Sequence, residues 1–171
     1  FIQNAKERMV IEGVEYEVFT PDILEQIQSG APKTNGMLKY ALEFGEKEYD
    51  MLNRLCLELG LVWSASPWDG LSVHSVNGFT DVAFMKVASA CLTNRDLLER
   101  VRATKKPVIL STGGSTMEQI EAAVQVLGTD DLILLHCVAE YPILDEDTNL
   151  AMIGTLRHVY PHVPVGFSSH S

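Results

Sequence analysis

Lys86 stands inside the apolar run "FMKVAS", where its neighbours suit a strand buried on both faces. A buried ammonium without a partner costs on the order of several kcal/mol, so an anion is implied nearby. Three chemistries fit such a lysine. It can clamp a phosphate or carboxylate, form a Schiff base with a carbonyl, or simply snorkel to water from a sheet edge. Four serines extend the pattern: Ser66, Ser89, Ser111 and Ser168 each follow an apolar run of strand length. Singly, each reads as a turn or cap residue. Together, hydroxyls at four strand ends would converge on one mouth, and phosphate oxygens accept several such bonds at once. "STGGST", from Ser111 to Thr116, would add backbone donors and a helix N-terminus.

Other reactive side chains are weaker candidates. His136 and His170 sit at strand ends and could ligate a metal. His136 lies within its strand and equally suits packing or hydrogen bonding, so His170 is the candidate carried forward. His74, His158 and His162 fall on helices or loops and read as solvated. Cys91 follows Ser89 by two residues; Lys86 nearby could activate its thiol, and a small packing residue is the alternative. Asp69 in "SASPWDG" reads as the cap of the helical turn after it.

Repeated elements must place these residues. "LGLVWSAS", "VAFMKVAS", "KPVILST", "DLILLHCV" and "VPVGFSSHS" are short apolar runs whose ends recur every 22 to 30 residues. Their Val, Ile and Leu content fits parallel strands. Amphipathic stretches lie between them. "LTNRDLLERVRATKK" carries Leu97, Leu98 and Val101 on one stripe; "STMEQIEAAVQVLG" offers Ser115 and Glu118 as a capping box and Gly128 as a stop; "NLAMIGTLRHVYP" ends on proline. "EKEYDMLNRLCLELG" is a further helix upstream. Strand–helix alternation with short connections predicts an α/β parallel sheet with right-handed crossovers, whose ligand face lies at the strands' carboxyl ends. The spacing, and the absence of G-x-G-x-x-G after any strand, favour a (β/α)8 barrel over a dinucleotide-binding sheet. About five to six units are countable, one from "FIQ" at the start, so the TIM barrel is incomplete within this chain. Residues 61–171 form the regular units. Residues 1–60 read as an elaborated βα connection over the strand ends, followed by a helix.

Composition narrows the function. The 171 residues suffice for one substantial core. A net charge of −10 argues against nucleic acid as the main partner, while leaving room for a small anion held by local donors. No apolar run approaches the roughly 18 residues of a membrane helix. Three spaced cysteines without C-x-x-C, and no leader, fit reduced thiols in a cytoplasmic protein. A first residue other than Met suggests a piece of a longer protein.

The ordered motifs "SASPWD", "KVASACLTN", "KPVILSTG", "LLHCVAEYP", "NLAMIGTL" and "VGFSSHS" resemble the sialic acid synthase family, the N-acetylneuraminate synthases and their bacterial nonulosonate relatives. The likeness is strongest from about Gly60 to Ser171. It implies a TIM barrel that condenses phosphoenolpyruvate with an N-acetylated hexosamine such as N-acetylmannosamine, in carbohydrate biosynthesis. It implies a divalent metal, Mn2+ or Mg2+, and a homodimer completed by a C-terminal antifreeze-like domain outside this chain. Under it Lys86, Ser66, Ser89, Ser111 and Ser168 bind the phosphate and carboxylate of phosphoenolpyruvate. His170 supplies one metal ligand, with a second histidine expected from the next strand.

Several positions depart from the family pattern. The lysine expected just before "F-x-Q" would precede Phe1. Cys91 replaces a catalytic carboxylate in "K-I-A-S-G-E", Ala139 replaces an Asn near the phosphate, and Ser169 replaces the Asp of "S-D-H". Two other readings stay open: a Schiff-base aldolase using Lys86, and a barrel that binds a sugar phosphate without turnover. With a metal ligand and barrel closure outside it, the chain by itself is expected to be inactive.

Overall fold

The structure is a computed structural model that describes residues 10–11, 14–15, 25, 28–30, 41–140 and 143–169. Its centre is a parallel sheet in the order β3 (Met85–Val87), β4 (Val108–Ser111), β5 (Leu132–His136) and β6 (Val165–Phe167). Helices α2 (Gly70–Gly78), α3 (Arg95–Ala103), α4 (Met117–Leu127) and α5 (Ala151–Val159) alternate with these strands. Ahead of them lie α1 (Glu46–Leu59) and an antiparallel pair, β1 (Val10–Ile11) with β2 (Val14–Glu15). The "FIQ" stretch lies outside the described residues.

The register sorts the side chains. Met85 pairs with Val108 and Val108 with Leu132; one step on, Lys86 pairs with Ile109 and Ile109 with Ile133. Paired residues point to the same face, and strands alternate with period two. Met85, Val87, Val108, Leu110, Leu132 and Leu134 therefore share one face, and all are buried. Against them pack Val73 and Val76 of α2, Leu97, Leu98 and Val101 of α3, Ile120 and Val124 of α4, and Leu156 of α5. The opposite face carries Lys86, Ile109, Ser111, Ile133, Leu135 and Gly166. Gly166 leaves room there for the neighbouring strand's side chain: an added methyl would meet Leu135 Cδ2 at 2.9 Å, and the leucine would have to shift.

Helix ends follow local chemistry. Asn94 Oδ1 accepts from Leu97 N and starts α3 three residues into its predicted stretch. The capping box of α4 belongs to Thr116 and Gln119, one residue beyond the expected Ser115 and Glu118: Thr116 Oγ1 accepts from Gln119 N, and Gln119 Oε1 from Thr116 N. Both pairs have capping chemistry at the same spacing, so sequence alone did not separate them. Asp69 caps as expected, its Oδ1 accepting from Ser72 N, but it opens a nine-residue helix rather than a single turn. At the end of α1, Gly60 adopts the left-handed conformation (φ 65°) that a helix stop favours.

The first expected strand is a correction. Within "LGLVWSAS" only Trp63 bridges, to Val82, and Leu61 and Val62 remain 58% and 73% exposed. Instead of a full ladder, side chains fasten this segment: Ser64 Oγ donates to Phe84 O and Trp63 Nε1 to Asn53 Oδ1 of α1. Trp63 also packs among Tyr49 and Phe79.

The two faces predict opposite responses. Leu110→Ala, on the helix-covered face with no exposed surface, should cost about 2–5 kcal/mol in denaturant unfolding. Lys86→Met should leave stability unchanged or raise it, since it removes a half-buried ammonium. A large loss from Lys86→Met would mean that the lysine has a structural partner.

Candidate functional site

The carboxyl ends of β3, β4 and β5 meet around one backbone N–H. Gly113 N donates to Ser89 Oγ at 3.0 Å and to Cys137 Sγ at 3.2 Å, and these two atoms are themselves 3.2 Å apart. Three strand ends are thus tied by a hydroxyl, a thiol and an amide. The contact depends on Gly113 having no side chain, because a Cβ there would lie 2.8 Å from Cys137 Sγ and 3.1 Å from Ser89 Oγ. In the sequence Gly113 figures only within the "STGGST" run and Cys137 only among three reduced thiols. Period-two alternation from Leu135 places Cys137 next on the mouth-facing side, which was the available signal.

Beside this knot lie two polar groups without a hydrogen-bond or ion-pair partner among the described residues. Lys86 is half-buried on the mouth-facing side of β3. Ser111, two residues beyond Ile109 on β4, shares that side; it is 2% exposed, and its Oγ is buried and unsatisfied. Buried hydroxyls are ordinarily hydrogen-bonded, so an orphan in a mouth lined by a lysine fits an anionic ligand. Ser168 extends the rim: its N–H donates to His136 O at 2.9 Å, continuing the ladder past β6. Ser66 is half-buried and makes no hydrogen bond to Ser89, Ser111 or Ser168. The structure therefore brings together the strand ends bearing Lys86, Ser89, Ser111 and Ser168, with Ser66 on the irregular segment beside β3.

Cys91 closes a single 3-10 turn, Ser89–Cys91, and is 5% exposed. Burial, with Asp69 adding to it and Lys86 opposing it, pushes the thiol up to about 11. It therefore stays protonated at neutral pH, and the expectation of a lysine-activated thiol gives way to packing. Desolvation outweighs the lysine.

The histidines separate. His136 turns from the mouth toward the helix side, where Nε2 lies 2.8 Å from Thr148 O and the ring stacks on Phe167. Its alternative as a hydrogen-bonding and packing residue is the one observed. His170 lies outside the described residues. Among the described residues no group of three His, Cys, Asp or Glu side chains could hold a metal. They do not by themselves fit the divalent ion that the resemblance implies. Nor is any helix among them long and apolar enough to cross a membrane.

A crevice of about 510 Å³ opens next to the knot, between the loops after β4 and β5. Thr112, Ser115, Cys137, Ala139, Glu140 and Asn149 contribute to its lining. Where the resemblance leads to an Asn, Ala139 brings a methyl group to the lining.

The thiol gives a pH test. An acid whose folded pKa is raised adds nothing to stability below its unfolded pKa of about 8.5, and costs stability above it. Unfolding followed from pH 8 to 11 should therefore show a fall that is smaller in Cys91→Ala than in the parent. An equal fall in both would show that Cys91 ionises as freely folded as unfolded.

The NeuB family profile matches residues 15–171. An uncharacterized protein of Methanocaldococcus jannaschii is 42% identical over 134 residues, covering 77% of this chain and 39% of its own length. The N-acetylneuraminate-9-phosphate synthase of Drosophila melanogaster is 36% identical over 141 residues, covering 81% and 38%. The chain thus spans about two fifths of the length of these relatives. The crystal structure of N-acetylneuraminic acid synthetase from Leptospira borgpetersenii superposes with a TM-score of 0.76 at 24% identity, covering 97% of this chain and 71% of that one. This likeness shows the fold: the parallel sheet and its helices are part of a TIM (β/α)8 barrel. Matched over all but its first 14 residues, the chain belongs to the NeuB family.

Proposed function

We propose that this chain carries the phosphoenolpyruvate-binding half of a nonulosonate synthase, which condenses phosphoenolpyruvate with an N-acetylated hexosamine to a sialic-type acid and phosphate. One observation carries the reading. A half-buried lysine and a buried, unsatisfied serine hydroxyl, Lys86 and Ser111, share the mouth-facing side of neighbouring strands. Family membership and the synthase name of the Drosophila relative support it.

In the reaction, C3 of phosphoenolpyruvate forms a bond to the aldehyde carbon of the sugar, water adds at C2, and phosphate departs. Lys86 would neutralise the dianionic ligand, while Ser111 and Ser168 donate to its oxygens. Ser89 accepts from Gly113 N and lies 3.2 Å from Cys137 Sγ, so its proton would reach the ligand only when the thiol is not the acceptor. Their contribution is positioning and charge compensation rather than proton transfer. The Mn2+ or Mg2+ ion that the resemblance implies would need His170 and ligands beyond the described residues.

The test is release of inorganic phosphate from phosphoenolpyruvate by the full-length protein with N-acetylmannosamine and a divalent metal. Lys86→Ala should lower kcat/KM for phosphoenolpyruvate by roughly 100-fold or more, as loss of a close charge-assisted contact does. Borohydride treatment with pyruvate should leave Lys86 unmodified. A covalent adduct there would overturn this reading in favour of Schiff-base chemistry.

A further inference from the structure

We infer that Cys137 is a positioning residue for anion capture, acting through Ser89. The inference rests on the phosphoenolpyruvate reading for its ligand and on geometry for its mechanism. Ser89 Oγ has two lone pairs and one proton to place. Gly113 N–H occupies one lone pair at 3.0 Å. Cys137 Sγ, 3.2 Å away, is near enough to serve either remaining need.

Without a ligand, the hydroxyl donates to the sulfur, and its proton is parked. With an anion in the mouth, the thiol turns donor and fills the second lone pair. The hydroxyl proton then has only the ligand to serve. No bond forms or breaks; one hydrogen bond reverses.

Two further observations favour this role over simple packing. Cys137 reaches past β4 to a residue 48 positions away, and does so only because Gly113 has no side chain in the gap. Ser111 Oγ, 2% exposed and unsatisfied, lies on the same mouth-facing side two residues before Gly113. That open hydroxyl leaves a hydrogen bond for a ligand on the side of the sheet that carries Lys86. Cys137 itself is only 7% exposed, so it acts on the ligand through Ser89.

The experiment has two arms in the full-length protein. In the kinetic arm, Cys137→Ala should raise KM for phosphoenolpyruvate roughly 3- to 10-fold, the effect of one lost hydrogen bond, with kcat within about twofold. Cys137→Ser, which keeps a donor and acceptor, should restore KM to within about twofold. Ser89→Ala/Cys137→Ala should be no worse than Ser89→Ala alone, because the thiol acts through the hydroxyl. Additive losses, or a fall in kcat with KM unchanged, would overturn the inference.

The second arm needs no turnover. Exchange of the Gly113 amide proton should quicken several-fold in both Cys137→Ala and Ser89→Ala. If the parent releases no phosphate, the substrate reading fails while this arm still tests the Gly113–Ser89–Cys137 contacts the role depends on; unchanged Gly113 exchange in Cys137→Ala sinks it. Should Cys137→Ala not fold, Cys137→Ser carries the test, and a raised KM in that folded variant counts against the proposal.

Discussion

The parallel register of Met85, Val108 and Leu132 is the constraint from which both core and site follow. Strand side chains alternate, so a slip of one residue would exchange the two faces completely. Lys86 would then enter the layer packed by Leu97, Leu98 and Val101, where no anion waits, and Leu110 would face the mouth. Burial of the helix-facing set stabilises the correct register, at about 1.5–3 kcal/mol for each large apolar side chain fully buried. The same alternation that builds the core therefore delivers a lysine and a hydroxyl to the opposite side.

The mouth-facing side carries polar groups that the described residues leave unsatisfied. Lys86 lacks an ion-pair partner among the described residues, and Ser111 Oγ lacks a hydrogen bond. Either could be replaced by an apolar residue of similar size with no loss of packing. Next to them, Ser89, Gly113 and Cys137 satisfy one another across three strands. The site thus combines groups held open with groups held still, and preorganisation of this kind lowers the cost of binding.

Cys91 shows how neighbouring charges are weighed. Lys86 favours its thiolate, yet burial and Asp69 together prevail. Position relative to solvent, rather than proximity to a cation, sets the state of the thiol. His136 makes the same point by orientation: it ends its strand, yet its ring is committed to Thr148 O and Phe167.

Sequence alone determined the α/β alternation, four of the expected strand runs, the helices between them, and the placing of Lys86, Ser89, Ser111 and Ser168 on or just after those strands. These signals are local: strand-length apolar runs, amphipathic stripes and small polar residues after each strand. It overread the segment around Trp63, because an apolar run does not reveal whether its backbone finds a ladder partner. It placed the α4 cap one residue early, since Ser115 and Thr116 have equivalent chemistry. Only the tertiary structure decided that burial raises the Cys91 thiol, that His136 bonds to Thr148 O, and that Cys137 meets Ser89 over Gly113. Those outcomes depend on desolvation and on contacts between residues far apart in the chain, quantities that exist only once β3, β4 and β5 lie side by side.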